Sequence, residues 1–246
     1  MVCSMAGKAA GIFNFKQFSV DQSGCAMKIN TDGVLLGALT DAYEPKTILD
    51  IGTGTGVIAL MLAQRFPHAK INAVEIDETA AATACRNFGS SAFADRMEVY
   101  PMAFETFFYK YPDKRYDLIV SNPPFFLNSL ESPGAGKNLA RHTNDSFFER
   151  LIKYVATHLT ENGSCAMILP LETAALVKQF LPANQLHLQG VIEIKSYQNV
   201  VSHREIVILV RQGGTKKWKK LFVIYEKTKM YSTEYQKALK DFFTIF

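Results

Sequence analysis

Residues 49–56 place one acid before three glycines at alternate positions. The run lies between an apolar stretch and a helix-forming one, and it reads Leu49-Asp50-Ile51-Gly52-Thr53-Gly54-Thr55-Gly56. Glycines at a strand-to-helix junction let the chain turn tightly and let a ligand approach the free N–H groups of the helix start. A dinucleotide fingerprint has the spacing G-x-G-x-x-G, because a pyrophosphate rests on the helix start. The spacing G-x-G-x-G after Asp50 instead suits a ligand with a cationic amino group, since the acid would repel a pyrophosphate.

These features favour S-adenosylmethionine, which carries such an amino group and no phosphate. A second carboxylate, Glu75, lies twenty-three residues beyond Gly52, at the end of the next predicted strand. A carboxylate at that point can accept hydrogen bonds from both ribose hydroxyls, and Ile76 could cover one face of the adenine ring. The alternative is a glycine turn that serves only helix–sheet packing. The combination of Asp50 with Glu75 argues against that alternative.

A second motif, Asn122-Pro123-Pro124-Phe125, follows the apolar run of residues 117–120. Two consecutive prolines fix the backbone and remove two N–H donors, which leaves carbonyl groups available to a ligand. Asn122 adds a side-chain carbonyl oxygen, and Phe125 adds a flat face on which a base can stack. Two such acceptors can hold the hydrogens of an exocyclic nucleobase amine and aim its lone pair at a sulfonium methyl group. A rigid turn that closes a strand is the alternative, and the glycine run about 70 residues earlier favours the catalytic interpretation.

Alternating strands and helices must bring the two motifs to one edge of a sheet. From residue 47 onward, short apolar runs alternate with helix-period segments, which is typical of an α/β, doubly wound, mainly parallel sheet. The predicted strands are 47–51, 70–75, 96–100, 116–121, 164–169, 191–194, 204–211 and 219–225, and the predicted helices are 56–66, 78–90, 145–159 and 172–180. We expect a turn at 161–163 and an antiparallel closing hairpin across Gly213-Gly214. Residues 1–46 are interpreted as an N-terminal extension on the cofactor and substrate side of a 47–246 domain.

The composition is that of a globular protein with an uneven charge distribution. With 48% hydrophobic and 20% charged residues, the 246-residue chain is neither disordered nor collagen-like. Residues 211–246 carry nine Lys or Arg against three Asp or Glu, which favours a face that meets a polyanion. Within them, Lys216-Lys217-Trp218-Lys219-Lys220 predicts an RNA contact, with a solvated hairpin tip as the alternative.

Neither a metal site nor a membrane segment is expected. The four cysteines, Cys3, Cys25, Cys85 and Cys165, have no metal-ligand spacing, and they are typical of thiols in a reducing compartment. No apolar run reaches the roughly 20 residues that a membrane helix needs, and the first residues do not resemble a signal peptide. A cytoplasmic, monomeric protein is therefore the default expectation.

Both motifs and the N-terminal segment resemble a known family. The glycine run with Asn122-Pro123-Pro124-Phe125 resembles the class I S-adenosylmethionine-dependent methyltransferases that act on amino groups. Residues 13–18, 26–38, 140–142 and 235–246 are more specifically similar to the tRNA1(Val) adenine-37 N6-methyltransferase family. The likeness covers almost the whole chain, and residues 28–38 are the part that narrows the family.

This resemblance implies a seven-stranded methyltransferase fold with an antiparallel last strand, and methylation of the N6 amino group of adenine 37 in tRNA1(Val). It also implies that Lys28 and Thr31 close over the cofactor from the N-terminal side. Met102 stands where many methyltransferases carry an acid after the third strand. The backbone of Ala103 and packing by Phe104 are therefore expected to replace a carboxylate contact to the cofactor adenine.

Other functions use the same motifs. Asn-Pro-Pro-aromatic sequences also serve the N5-methylation of glutamine in proteins, but Phe125 in place of Tyr and the basic end favour nucleic acid. Adenine in DNA stays open as a target. A catalytically inactive RNA-binding module is the non-enzymatic alternative, and the intact Asp50, Glu75 and Asn122 argue against it.

Three polar residues near the motifs are not assigned to catalysis. Arg141 and His142 are interpreted as residues of the loop beyond the second motif, near a phosphate or simply on the surface. Asp32, next to Thr31, suits a helix cap as well as a cofactor contact.

Overall fold

The structure is a computed structural model that describes residues 11–23, 25, 27–124, 135–213 and 217–246, with the helical backbone alone for 135–145. Most of its strands belong to one large sheet. Within these residues the strands are β1 (Ile12–Asn14), β2 (Ser19–Asp21), β3 (Thr47–Ile51), β4 (Lys70–Glu75), β5 (Met97–Pro101), β6 (Tyr116–Ser121), β7 (Leu159–Pro170), β8 (His187–Tyr197), β9 (Arg204–Val210), β10 (Trp218–Lys227) and β11 (Met230–Tyr231).

Strands β3 to β9 form the predicted seven-stranded arrangement. Their spatial order is β5-β4-β3-β6-β7-β9-β8. All are parallel except β9, the last of the seven along the chain, which runs antiparallel to both β7 and β8. The predicted fold class, a doubly wound and mainly parallel sheet, is confirmed. Helices cover both faces of this sheet, which explains why its central strands read as nearly continuous apolar runs.

The hairpin predicted across Gly213-Gly214 is wrong. β10 pairs in parallel with β8, while β9 pairs with the other side of β8, so that β8 lies between the two strands expected to pair. β11 then pairs antiparallel with β10, and the two extend the sheet to nine strands beyond the predicted seven. Turn residues signal only that the chain changes direction locally. The choice of partner strand depends on which sheet edge is free, and that is a property of the whole fold.

Helices cover the two faces of the sheet and create two apolar cores. One face carries α1, α2, α3 and α7, and the other carries α4, α5 and α6. The helices are α1 (Thr31–Leu39), α2 (Val57–Arg65), α3 (Glu78–Gly89), α4 (Phe104–Lys110), α5 (Ala135–His158), α6 (Leu171–Phe180) and α7 (Thr233–Leu239).

Two predicted boundaries in the middle of the chain are wrong. Helix α5 begins at Ala135, ten residues earlier than predicted, so residues 141 and 142 lie on a helix and not in a loop. In the sequence, residues 135–145 contain a single large apolar residue, Leu139, so this part of the helix carries little of the periodic signal. The turn predicted at 161–163 is instead an irregularity within β7, where the pairing with β6 shifts. A Cβ on Gly163 would lie 2.7 Å from the Tyr116 carbonyl oxygen, which explains the glycine there.

The N-terminal segment packs against helices α2 and α3 and against the C-terminal residues. β1 and β2 form a two-stranded ribbon, and Phe15 forms an antiparallel bridge with Phe243 near the C-terminus. The Asn87 side chain on α3 accepts a hydrogen bond from the Asp21 amide at 2.9 Å and donates to its carbonyl at 3.0 Å. Helix α1 packs closely on α2. These contacts bring the ribbon, α1 and the C-terminal segment together on one side of the molecule.

The described residues contain neither a membrane-spanning helix nor a cluster of metal-binding side chains. No helix among them is long and apolar enough to cross a membrane. In the same parts of the chain, no three His, Cys, Asp or Glu side chains are grouped so that they could hold a metal ion.

Candidate active site

The glycine run, Glu75 and Asn122 lie at one edge of the sheet. β3 is hydrogen-bonded to β4 on one side and to β6 on the other, and the register pairs Ile51 with Val74 and with Ser121. The Ser121 hydroxyl donates to the Ile51 carbonyl oxygen at 2.9 Å. β3 is also the strand at which the chain order reverses direction across the sheet. In open α/β sheets, ligands bind at the carboxyl ends of the strands at such a point.

Each glycine of the run has a positive φ, but their surroundings differ. The φ angles are 73° at Gly52, 57° at Gly54 and 86° at Gly56, a region that L side chains rarely adopt. A Cβ on Gly56 would lie 2.5 Å from the Phe88 ring, whereas Cβ atoms on Gly52 and Gly54 would meet none of the described residues within 4 Å. Gly56 is therefore required for packing on α3. The open space at Gly52 and Gly54 is the side on which a ligand can approach the backbone.

Asp50 is fully buried beneath the glycine run. Its Oδ2 accepts a hydrogen bond from the Thr53 hydroxyl at 2.6 Å, while its Oδ1 makes no hydrogen bond to the described residues. Burial, and to a smaller extent the nearby Glu75 carboxylate, raise the pKa of Asp50 to about 7 against the opposing effect of the Thr53 hydrogen bond and the Ala59 amide. A buried carboxyl oxygen without a donor is unfavourable in isolation and favours the approach of a hydrogen-bonding cation.

The raised pKa of Asp50 predicts a pH dependence of stability in the cofactor-free protein. Because the ordinary pKa is 3.8 and the folded one is about 7, the folded state binds the extra proton between these values. The free energy of unfolding should then fall as the pH rises through this window, by up to about 1.4 kcal/mol per pH unit. Asp50→Asn should remove this part of the slope. Urea unfolding of both proteins from pH 5 to 8 measures it, and equal slopes would contradict the assignment.

Glu75 already holds the glycine run in place. Its Oε2 accepts a hydrogen bond from the Gly54 amide at 2.8 Å, and its Oε1 accepts one from the Asp77 amide at 3.0 Å. Asp77 caps α3 by accepting a hydrogen bond from the Ala80 amide at 2.7 Å. An ionised carboxylate has about four lone-pair sites, so Glu75 keeps the capacity to accept further hydrogen bonds. Ile76, beside it, is 72% exposed and free to cover a flat ligand.

Asn122 lies directly beyond β6 and under the first turn of α1. Its Oδ1 is buried and makes no hydrogen bond to the described residues. A Cβ on Gly33 would lie 3.7 Å from the Asn122 Nδ2, so α1 covers this side chain closely. Pro123 is buried and Pro124 is half-buried, whereas Phe125 lies outside the described residues. The site therefore contains a buried amide oxygen that is positioned but has no donor in the described part of the chain.

An ion pair that the sequence did not suggest ties α1 to the sheet. The Asp32 Oδ2 accepts a hydrogen bond from the Arg204 Nε at 2.9 Å, across 172 residues of sequence. The N-cap of α1 is Asn30, whose side chain accepts from the Gly33 amide, so Asp32 does not take the cap position that was one of its two interpretations. The partner of Asp32 is a residue of β9, and no local pattern could have identified it.

The remaining predicted cofactor residues lie at the surface or in the core. Lys28 and Thr31 are both exposed at the start of α1. Ala103 is half-buried and is the N-cap residue of α4. Phe104 is 7% exposed and packs edge-to-face on Phe147 and Tyr154. The Phe104 ring thus belongs to the core beneath the site, and Ala103 is the more accessible member of this pair.

The basic run does not join the site. Lys217, Lys219 and Lys220 lie at the amino-terminal end of β10, and Lys216 lies outside the described residues. β8, β9 and β7 separate β10 from β6, a distance of about 19 Å at 4.8 Å per strand. Lys219 pairs with Glu193 at 2.8 Å, and the Lys220 ammonium lies over the Trp218 ring. An RNA contact here stays a prediction, and it would concern a part of the RNA remote from the reacting base.

Comparison with known proteins agrees with this geometry. Residues 28–180 match the family model described as the methyltransferase small domain. The chain is 48% identical over 234 residues to the tRNA1(Val) (adenine(37)-N6)-methyltransferase of Pedobacter heparinus, covering 95% of this chain and 98% of that protein. The protein of the same name from Bacteroides thetaiotaomicron is 44% identical over 206 residues, covering 83% of this chain and 80% of that one.

Solved structures share the fold at low sequence identity. A predicted O-methyltransferase from Agrobacterium tumefaciens superimposes with a TM-score of 0.64 at 18% identity, covering 86% of this chain and 96% of that chain. TrmN from Thermus thermophilus gives a TM-score of 0.54 at 22% identity, covering 73% of this chain and 48% of that chain. At such identities the likeness concerns the fold alone, and it is a Rossmann-like methyltransferase fold.

Proposed function

The chain belongs to the tRNA1(Val) (adenine(37)-N6)-methyltransferase family, and we propose that its site transfers a methyl group from S-adenosylmethionine to the N6 amino group of adenine 37 in tRNA1(Val). The observation that carries this proposal is the buried Oδ1 of Asn122, which accepts no hydrogen bond from the described residues. It lies beside the open glycine run. An acceptor in this place suits an amine as substrate. A hydroxyl or thiol substrate would need a base, and Asn122 is not one.

The residues present fit the cofactor. Open space at Gly52 and Gly54 admits a ligand against the backbone, and the Asp50 Oδ1, which has no hydrogen-bond partner among the described residues, lies beneath them. We propose that Asp50 attracts the amino group of the methionine moiety and that Glu75 accepts hydrogen bonds from the ribose hydroxyls. Ile76 covers one face of the adenine, the backbone of Ala103 contacts its edge, and residues 28–31 border the cofactor from the N-terminal side.

The protein's part in the reaction is to position the nucleophile. When bound, S-adenosylmethionine supplies an electrophilic methyl group on a positively charged sulfur. The Asn122 Oδ1 and the Pro123 carbonyl oxygen accept the two hydrogens of the adenine N6 amino group, which directs its lone pair out of the ring plane. Phe125 stacks on the base, and Pro124 keeps the turn rigid. Positioning and preorganised electrostatics supply the acceleration, and no general base is required because the methylated nitrogen is acidic.

The N-terminal residues serve the site as part of this enzyme. Within the proposed extension of residues 1–46, α1 lies over Asn122 through Gly33 and is tied to β9 through the pair of Asp32 with Arg204. We propose that this extension covers the site of the 47–246 methyltransferase domain. A tRNA substrate also supports the expected cytoplasmic location.

Transfer of a labelled methyl group into tRNA tests the proposed function. The purified protein, S-adenosylmethionine and a tRNA1(Val) transcript should yield N6-methyladenosine on nucleoside analysis. A transcript with guanine at position 37 is the matched control and should accept no label. The proposal would be contradicted if the tRNA1(Val) transcript accepted no label while the control transcript, a DNA duplex or a glutamine of a protein substrate did.

A further inference from the structure

A groove of about 510 Å³ lies beside α1, on the side where the N- and C-terminal segments meet. Its walls come from β1, the first turn of α1, β11, α7 and the last residues of the chain. Its volume lies in the range of about 300–1,000 Å³ that is typical of small-ligand sites. Of its lining residues, Ile29, Asn30 and Thr31 belong to the segment proposed to border the cofactor, and none belongs to the proposed catalytic motif.

The lining of the groove is aromatic and uncharged. Four of the residues that line it are aromatic, Phe13, Phe243, Tyr231 and Tyr235, and none of the described lining residues is Asp, Glu, Lys or Arg. Phe13 keeps 36% of its surface exposed, although it contacts Phe15 and Phe243. An accessible ring on an otherwise fixed aromatic cluster is a surface on which a flat, uncharged ring can stack.

The groove adjoins the candidate active site through α1. Asn30 and Thr31 line it, and two residues further along the helix a Cβ on Gly33 would lie 3.7 Å from the Asn122 Nδ2. Two helical residues correspond to a rise of about 3 Å. A ligand in the groove and a base at Asn122 would therefore occupy the two sides of one helical turn, close enough to belong to the same nucleic-acid strand.

Two exposed cations are close in sequence to residues that line this groove. Lys28 precedes the lining residue Ile29, and Lys229 lies two residues before the lining residue Tyr231. Both lysines are exposed. Cations near aromatic rings are typical of nucleic-acid sites, since the cations attract the backbone phosphates while the bases stack on the rings.

We propose that the groove binds the base of a nucleotide next to the target adenine in tRNA. This inference rests on the proposed function. An enzyme that acts on one base takes it out of the stack, and a neighbouring base then loses a stacking partner. Phe13 and its aromatic neighbours replace that partner. The groove thereby stabilises the opened loop that presents the adenine to Asn122.

Binding of tRNA by Phe13 variants tests this inference. Fluorescence anisotropy without cofactor measures the affinity of the full chain for a labelled tRNA1(Val) transcript. Phe13→Ala should weaken this affinity about 5- to 150-fold, the range for loss of one base–aromatic stack. Phe13→Leu, which keeps apolar packing, should also weaken it. Tyr109→Ala is the control, because Tyr109 is an 84% exposed aromatic residue of α4, on the other face of the sheet. Its affinity should equal that of the wild type.

Abasic transcripts identify the contact. Two transcripts are compared, one without the base at position 36 and one without the base at position 38. One of these transcripts should bind the wild type and Phe13→Ala with equal affinity. An equal loss on all transcripts, or no loss on the intact one, would overturn the inference. Failure of the proposed function would appear separately, as absence of methyl transfer by the wild type to intact tRNA. Affinity for S-adenosylmethionine and the melting temperature of each variant show whether the cofactor site and the fold are intact.

Discussion

Asn122→Ala is expected to lower the rate of methyl transfer to tRNA by about 100- to 1,000-fold under single-turnover conditions, the usual effect of removing one preorganised electrostatic contact. The substitution removes the acceptor that orients the adenine amine and leaves both prolines in place. The base can still enter the site, so the loss should appear in the rate at saturating tRNA and not in tRNA affinity.

The structure makes this experiment clean with respect to folding. The Asn122 Oδ1 is buried and has no donor among the described residues, so its removal leaves no described donor without an acceptor. The free energy of unfolding should therefore change by about 1 kcal/mol or less. S-adenosylmethionine affinity, measured by calorimetry, should show at most a small change.

Asn122→Asp is the matched variant for the catalytic role. It retains an acceptor oxygen and replaces only the amide donor, so it should lose less activity than Asn122→Ala. An Asn122→Ala protein that reacts at nearly the wild-type rate would show that Asn122 is a turn residue and that the proposed orientation of the amine is wrong. An Asp variant as impaired as the Ala variant would show that the amide nitrogen, or the neutrality of the site, is what matters.

Glu75→Ala is expected to weaken S-adenosylmethionine binding about 10- to 150-fold, which corresponds to about 1.5–3 kcal/mol for a hydrogen-bond partner that carries a charge. The ribose hydroxyls lose their acceptor. In addition, the Gly54 and Asp77 amides lose the carboxylate that holds them in the described fold. Both effects act on the cofactor site in the same direction.

Two further variants test whether the loss of affinity is specific to the Glu75 carboxylate. Glu78→Ala removes an exposed carboxylate three residues away and should leave cofactor affinity unchanged. Glu75→Gln keeps one acceptor oxygen, but its NH2 group cannot accept from the second backbone amide, so it should bind the cofactor with intermediate affinity. Calorimetry on folded protein decides the outcome. Cofactor affinity in Glu75→Ala equal to that of the wild type would remove Glu75 from the site.

Local sequence patterns were sufficient for the strands and turns that carry the site. β3, β4 and β6 have the predicted bounds, because Gly52 follows β3, the helix cap Asp77 lies two residues beyond β4, and Asn122-Pro123 follows β6. The positive φ values of the glycine run follow directly from residue type. The position of Glu75 and Asn122 at one edge follows from the rule that parallel strands present their carboxyl ends together. The strand bounds and the glycine turn depend on residues close in sequence, so the sequence alone predicts them.

Relations between distant segments could be decided only by the tertiary structure. The pairing of Asp32 with Arg204 joins residues 172 positions apart, and the cap of α1 proved to be Asn30. The aromatic groove combines Phe13 with Tyr231 and Phe243 from the other end of the chain. No periodicity links such residues, because their contact results from the packing of the N- and C-terminal segments around α1.

The distribution of basic residues and the order of the strands were likewise predicted only in part from the sequence. Composition identified a basic C-terminal segment, but only the structure showed that β8 lies between β9 and β10, which removes the hairpin and places Lys217 to Lys220 away from the site. The raised pKa of Asp50 likewise depends on complete burial and on the Glu75 carboxylate from the neighbouring strand. Residue type and spacing thus determined the chemistry that this protein can perform. Burial and strand pairing, which arise only when the whole chain packs, decided where its charges lie and which side chains meet.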